Sequence, residues 1–268
     1  MSELQRSDAS LYYELHDAAR ASDNLPLLLV AGLASDSQSW QPVLDAMRQH
    51  RQVILIDNRG SGRTRASAST SLKQMAQDCI AVLDHLSIRQ FDLVGHSMGG
   101  FVSLNIARIA PDRIRRMALC NSSSRIGARN EDMFADWADA LAEQGATARW
   151  YRSFFYWILT PGFFANKQTL EQLLKLAMSY TYAPDAMAFR SQVSAMQGFD
   201  ATSWLADIDT PTLVLAASED LIFPPGSDAA GLALLPNAQV QVVAGLAHSL
   251  PMEAPKVFSD RMLAFLDG

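Results

Sequence analysis

A serine between two glycines, set where a buried strand gives way to a helix, limits this chain more than any other feature. The apolar run Phe91-Asp92-Leu93-Val94 leads directly into Gly95-His96-Ser97-Met98-Gly99-Gly100, and the helical pattern Phe101-Val102-Ser103-Leu104-Asn105-Ile106-Ala107 follows. A turn this tight leaves no room for side chains on either side, which accounts for glycine at 95 and 99. The serine is then forced to present its hydroxyl above the sheet. Ser97 is therefore the candidate nucleophile.

Around this turn, strand and helix patterns alternate. After a hairpin expected around Leu11-Tyr12-Tyr13-Glu14-Leu15, apolar runs fall at 27–30, 53–56, 91–94, 117–120, 212–217 and 240–243. Helical periodicity fills the gaps at 40–49, 72–86, 98–109, 229–235 and 256–266. Near-continuous apolar strands separated by helices predict an α/β fold: a mostly parallel, doubly wound sheet covered on both faces. At 268 residues the chain is long enough to bury a substantial core.

One region breaks the alternation. From 126 to 206 there is no convincing strand, only helical stretches at 133–142, 148–157 and 170–178. This predicts a helical lid inserted before the last two strands, with residues 1–125 and 207–268 forming the core. The segment is under a third of the chain yet holds 15 of its 23 aromatic residues. Placed over the carboxyl ends of the strands, it would cover Ser97. Trp137, Phe154, Phe155 and Trp157 are its candidate substrate contacts, and their character points to an apolar acyl or alcohol portion in the substrate.

A nucleophilic serine needs a base, and the base needs an orienting acid. The chain has five histidines. His16 lies in a polar segment, His50 near the end of a helix-like stretch and His85 in an amphipathic one. His96 adjoins the serine, but neighbouring side chains at a tight turn diverge, so it reads as packing. His248 follows the strand Val240-Gln241-Val242-Val243 through the short loop Ala244-Gly245-Leu246-Ala247. That places it beyond a strand's carboxyl end, where open α/β sheets collect reactive groups. His248 is the expected base.

The acid should fall between the two in chain order. The strand Thr212-Leu213-Val214-Leu215-Ala216-Ala217 is followed by Ser218-Glu219-Asp220. Asp220 begins a turn that can hold a short side chain rigidly, whereas Glu219 points the other way if the chain is still extended. The segment after the preceding strand, Asn121-Ser122-Ser123-Ser124, carries no carboxylate. Asp220 is the expected acid. Acyl transfer also needs two donors for its oxyanion. The backbone N–H of Met98 is one; the N–H of Leu33, in the loop Ala31-Gly32-Leu33-Ala34-Ser35, is the other.

Composition narrows the alternatives. The net charge is −6, and no lysine–arginine run exceeds a pair, which argues against a nucleic-acid partner. Arg113, Arg115 and Arg116 are expected at a solvated helix end; Arg59, Arg63, Arg65, Arg125 and Arg129 are expected on the surface, the alternative being a guanidinium near the pocket and an acidic substrate. A polar, acidic start and no apolar stretch of spanning length make a cytoplasmic protein without a membrane span the expectation. Cys79 and Cys120 read as buried free thiols. No histidine spacing implies a metal, and no cofactor is expected.

These residues together resemble the α/β-hydrolase superfamily over nearly the whole chain. The resemblance rests on the turn around Ser97, on Asp220 followed by Pro224-Pro225, and on His248 followed by Glu253 and Pro255. Asp57-Asn58-Arg59-Gly60-Ser61-Gly62 is similar to the family's D-x-R-G-x-G turn; read as a nucleotide loop it fails, because Arg65 stands where a third glycine is required. The chain departs from the family in having Ala31-Gly32 where His-Gly is usual, which bears on side-chain support for that loop. The lid-bearing, short-chain branch it resembles includes carboxylesterases, enol-lactonases and small-molecule methyl esterases. The resemblance implies a serine hydrolase acting on a small ester or lactone through an acyl-enzyme. Carbon–carbon hydrolysis of a diketone, acyl transfer and a purely binding role are the alternatives. Oligomeric state leaves no trace in the sequence.

Overall fold

Alternate residues along the central strands enter two different cores. The computed structural model describes residues 2–66 and 70–268. Its strands are β1 (Ser2–Gln5), β2 (Ala9–His16), β3 (Leu27–Val30), β4 (Val53–Ile56), β5 (Arg65–Ala66), β6 (Phe91–His96), β7 (Ile114–Cys120), β8 (Thr212–Ala217) and β9 (Ala238–Val243). Leu28, Val30, Ile54, Ile56, Leu93 and Val214 point to one face, and Leu27, Leu29, Val53, Leu55, Val94 and Leu213 to the other. Period-two side chains that are apolar on both faces need cover on both.

The cover comes from the helices between strands. They are α1 (Gln41–Met47), α2 (Leu72–His85), α3 (Met98–Ile109), α4 (Ala128–Gln144), α5 (Ala148–Ile158), α6 (Pro161–Ala165), α7 (Lys167–Ser179), α8 (Ala186–Met196), α9 (Ala230–Leu232), α10 (Leu250–Glu253) and α11 (Pro255–Asp267). Residues of α2 and α3 fill the first core, and those of α1 and α11 the second. Helix starts follow local chemistry. Ser71 accepts the Gln74 N–H, Thr147 that of Trp150, and Asp185 those of Met187 and Ala188.

The strand order is β1-β2-β4-β3-β6-β7-β8-β9, with β5 paired to β2. β1, β2 and β5 pair antiparallel, while β4, β3, β6, β7, β8 and β9 are parallel to one another. From β3 the chain steps outward to β4, then returns across β3 to β6. The crevice between β3 and β6 is thus the switch point where such sheets place ligands. All of α4 to α8 lies between β7 and β8, and its aromatic side chains are continuous with the first core.

Two arginines sit differently from expectation. Arg113 does close a short 3-10 helix, Pro111–Arg113, but Arg115 and Arg116 lie within β7. Arg115 donates to the fully buried Asp92 at 2.9 Å, and buried Arg51 donates to the same carboxylate at 2.8 Å. A buried carboxylate between strands draws cations to it, which apolar patterning does not reveal. Cys79 and Cys120 are buried free thiols. Among the described residues no helix is long and apolar enough to cross a membrane.

Candidate active site

Ser97 leaves β6 with φ 56° and ψ −122°, a conformation that side-chain-bearing residues rarely adopt. The surroundings enforce it. A Cβ on Gly95 would overlap the Gly99 carbonyl oxygen and the Ser103 hydroxyl; one on Gly99 would overlap the Val30 carbonyl oxygen. Ser97 N–H donates to the Cys120 carbonyl at 2.9 Å, and the Ser122 hydroxyl donates to the Ser97 carbonyl at 2.9 Å. The turn is bolted to β7, so Ser97 stands fixed at the N-terminus of α3.

The structure brings Asp220 and His248 together. His248 Nδ1 and Asp220 Oδ2 are 2.9 Å apart, and both residues are buried. Asp220 Oδ1 accepts the N–H groups of Ile222 and Phe223 at 2.8 and 3.0 Å, while Oδ2 also accepts Asn121 Nδ2 at 2.9 Å. Burial pushes the Asp220 carboxyl up. The His248 charge, its hydrogen bond and the other donors outweigh that and hold it at about 2. An ionised acid held this way fixes His248 with Nδ1–H toward it. Among the described residues, His248 Nε2 has no partner.

His96 does more than pack. Its Nε2 lies 2.8 Å from the His248 carbonyl oxygen, so the ring donates from Nε2 and ties the His248 backbone to the serine turn. The two imidazole centroids are 5.0 Å apart. Burial, and then the neighbouring His248 charge, lower the His96 pKa to about 4. His96 is neutral near pH 7.

The loop after β3 lies against this centre. A Cβ on Gly32 would stand 3.0 Å from the Ser97 Cβ. Met98 opens α3, so its N–H has no acceptor within the helix. The Leu33 N–H likewise has no protein acceptor among the described residues, whereas the Ala34 N–H donates to Gln192 Oε1 at 3.3 Å. Gln192, on α8 and fully buried, also donates to the Arg59 carbonyl and the Ser61 hydroxyl, each at 2.8 Å. From the other side Asn58 Nδ2 donates to the Ala31 carbonyl at 3.1 Å. Gln192 and Asn58 together supply loop support in a chain that has Ala31 in place of the usual histidine.

Of the aromatic candidates, Phe154 and Phe155 line a cavity of about 470 Å³ that also touches Ala34, His96 and Ser249. Trp137 and Trp157 do not line it. Trp137 is buried against Phe134 and Phe154, and its carbonyl accepts Trp150 Nε1–H at 3.0 Å. Trp157 faces the Arg129 guanidinium, 6.0 Å away. In their place Trp150 and Tyr151 border the cavity.

Residues assigned no role at the site from the sequence hold the arrangement. Asn121, from the segment set aside for lacking a carboxylate, donates to Asp220 instead; its φ of 47° marks it as constrained. Glu253 accepts the Ala247 N–H at 3.1 Å and the Thr160 N–H at 2.8 Å, joining the His248 loop to the helical segment. No group of three or more His, Cys, Asp or Glu side chains among the described residues is placed to hold a metal ion.

Comparison with known proteins places this geometry in context. The profile of the alpha/beta hydrolase fold matches residues 26–255. A protein of Azorhizobium caulinodans named "Putative carbamate hydrolase RutD" is 30% identical over 260 residues, covering 96% of this chain and 95% of its own. A hydrolase from Pseudomonas aeruginosa superposes with a TM-score of 0.87 at 25% identity, over 100% of this chain and 98% of that one. The enol-lactonase of Burkholderia xenovorans gives 0.88 at 22% identity over the full length of both, a likeness of fold.

Proposed function

Because the chain belongs to the alpha/beta hydrolase fold family, we propose that it is a serine hydrolase cleaving a carboxylic ester or lactone of a small, largely apolar molecule. The observation that carries this reading is the buried Asp220–His248 pair, at 2.9 Å, on the same sheet edge as a strained Ser97 at a helix N-terminus. In this reading His248 takes the Ser97 proton as the hydroxyl oxygen attacks the carbonyl. The oxyanion is held by the N–H groups of Leu33 and Met98. His248 returns the proton to the leaving alkoxide, and a water deprotonated by the same nitrogen then releases the acid. Asp220 holds the imidazole tautomer and stabilises the imidazolium.

The helical segment 126–206 serves as the lid, and the cavity beneath it receives the apolar part of the substrate. A volume of about 470 Å³ suits a small ligand. The test is turnover of p-nitrophenyl acyl esters from acetate to decanoate by the protein and its Ser97→Ala variant. Serine-dependent turnover with a preferred chain length is expected. Turnover that survives in Ser97→Ala removes the proposal.

A second reading rests on the name of the Azorhizobium relative. A carbamate carbonyl is attacked by the same serine and releases the same alcohol. Matched esters and carbamates of one alcohol separate the two by their relative kcat/KM.

A further inference from the structure

The cavity beside His96 and Ser249 is lined mostly by aromatic and aliphatic groups, by neutral polar ones such as Gln38, Ser39 and Gln41 and, among the described residues, by a single charged one, Asp36. Asp36 is nearly buried. Its Oδ1 accepts the Gln38 N–H at 2.9 Å and its Oδ2 accepts the Tyr180 hydroxyl at 2.7 Å. No lysine, arginine or histidine forms an ion pair with it among the described residues.

The neighbouring arginines have partners of their own, although Arg63 also acts on Tyr180, which donates to Asp36. Arg63 is held between the Tyr12 and Tyr182 rings, at 4.6 and 4.7 Å, and faces Glu14 and Asp57 at 3.8 and 3.9 Å. Arg59 is buried, paired with Asp8 and Asp78. With Arg65 and Asp185 it borders an adjoining polar cavity, whose wall Asp36 shares. Arg129 donates to the Leu221 and Ile222 carbonyls. His96, the one imidazole on the cavity wall among the described residues, is neutral near pH 7.

We propose that this cavity selects substrates by charge, accepting uncharged or ammonium-bearing apolar groups and excluding those that end in a carboxylate, with Asp36 as the discriminating residue. The inference rests on the reading that the cavity receives substrate. A carboxylate entering it sheds water without gaining a cationic partner, and it meets a like charge where screening is weak. An ammonium group meets the Asp36 carboxylate and the faces of Trp150, Phe154 and Phe155, which attract cations. A methyl-ended chain gains burial alone.

Three ligands with a common head test this: hexanamide, 6-aminohexanamide and the monoamide of adipic acid, titrated calorimetrically at pH 7.5. The shared amide occupies the oxyanion donors and leaves the variable end in the cavity. Asp36→Asn removes the charge, while its side-chain oxygen still caps residues 37–40. The adipic monoamide is expected to bind at least tenfold more weakly than hexanamide, and 6-aminohexanamide at least as tightly. Asp36→Asn is expected to narrow that gap threefold or more, strengthening the anion and weakening the cation. Equal binding of the anionic and neutral amides, the same discrimination in Asp36→Asn, or binding of none of the three each overturns the proposal. Repeating the titrations on Ser97→Ala separates the two readings: charge selection that persists there, in a protein whose ester turnover proves independent of Ser97, leaves this inference standing while the esterase reading falls.

Discussion

Ser97, His96 and Gly95 are consecutive, and each is held by a different restraint. Ser97 carries backbone strain worth roughly 1–3 kcal/mol, which the packed glycines and the bond to β7 sustain. His96 carries a pH-dependent cost. Its pKa is about 4 in the fold and 6.5 ordinarily. As pH falls through 6.5 the unfolded chain takes up this proton first, so stability declines from there down to about pH 4 and the contribution then levels off. His96→Gln, which retains a donor for the His248 carbonyl, is expected to lose less stability than the parent between pH 7 and 4.5. The difference, at most about 3 kcal/mol, is measured by urea unfolding at both values. Equal losses would show that His96 does not titrate as described. At this scale the strained turn at Ser97 and the pairing of Asp220 with His248 were legible, because such chemistry requires particular residue types at strand ends. Asn121 was not. It acts through a carboxylate 99 positions away, and nothing in Asn121-Ser122-Ser123-Ser124 signals that contact.

Elements decide which of several plausible side chains reaches the centre. Phe154, Phe155, Tyr156 and Trp157 are consecutive on α5, so at 100° per residue they leave the helix in four directions. Phe154 and Phe155 face the cavity, Tyr156 is 59% exposed and Trp157 turns to Arg129. Aromatic content alone could not distinguish them. Gln192 shows the same principle from α8: a polar residue in an apolar helical pattern, it became interpretable only when the fold set it against Ala34 and Ser61. Gln192→Leu leaves the Ala34 N–H and the Ser61 hydroxyl unpartnered and frees the turn that carries the Leu33 donor. A tenfold or greater fall in kcat with KM changed less than twofold is expected from steady-state kinetics on the preferred ester, in line with the loss of transition-state hydrogen bonding. A change in KM alone would assign Gln192 to the lid, not to the oxyanion loop.

Across the whole molecule, the two ends of the sheet have separate tasks. The carboxyl ends carry Ser97, Asp220 and His248, while the opposite end is tied by Arg51, Arg115 and Asp92, with Asp267 of α11 joined to Arg51. Removing one partner from a buried ion cluster strands the others, so Asp92→Ala is expected to cost about 3–5 kcal/mol in urea unfolding. Folded Asp92→Ala protein should keep its kcat/KM within a factor of two; a large kinetic loss would show that the ends are coupled. The alternation that predicted the parallel sheet was legible because burial on both faces dictates composition. The ion cluster was not, since Arg115 and Asp92 read as ordinary polar residues until β6 and β7 are paired. The central claim is that Ser97 is a nucleophile activated by His248. Its most direct test is labelling by a fluorophosphonate, read by intact mass and peptide mapping. A single adduct on Ser97, absent in Ser97→Ala and formed at least a hundredfold more slowly in His248→Asn, is the predicted result; no adduct on Ser97, or labelling as fast without His248, would contradict it.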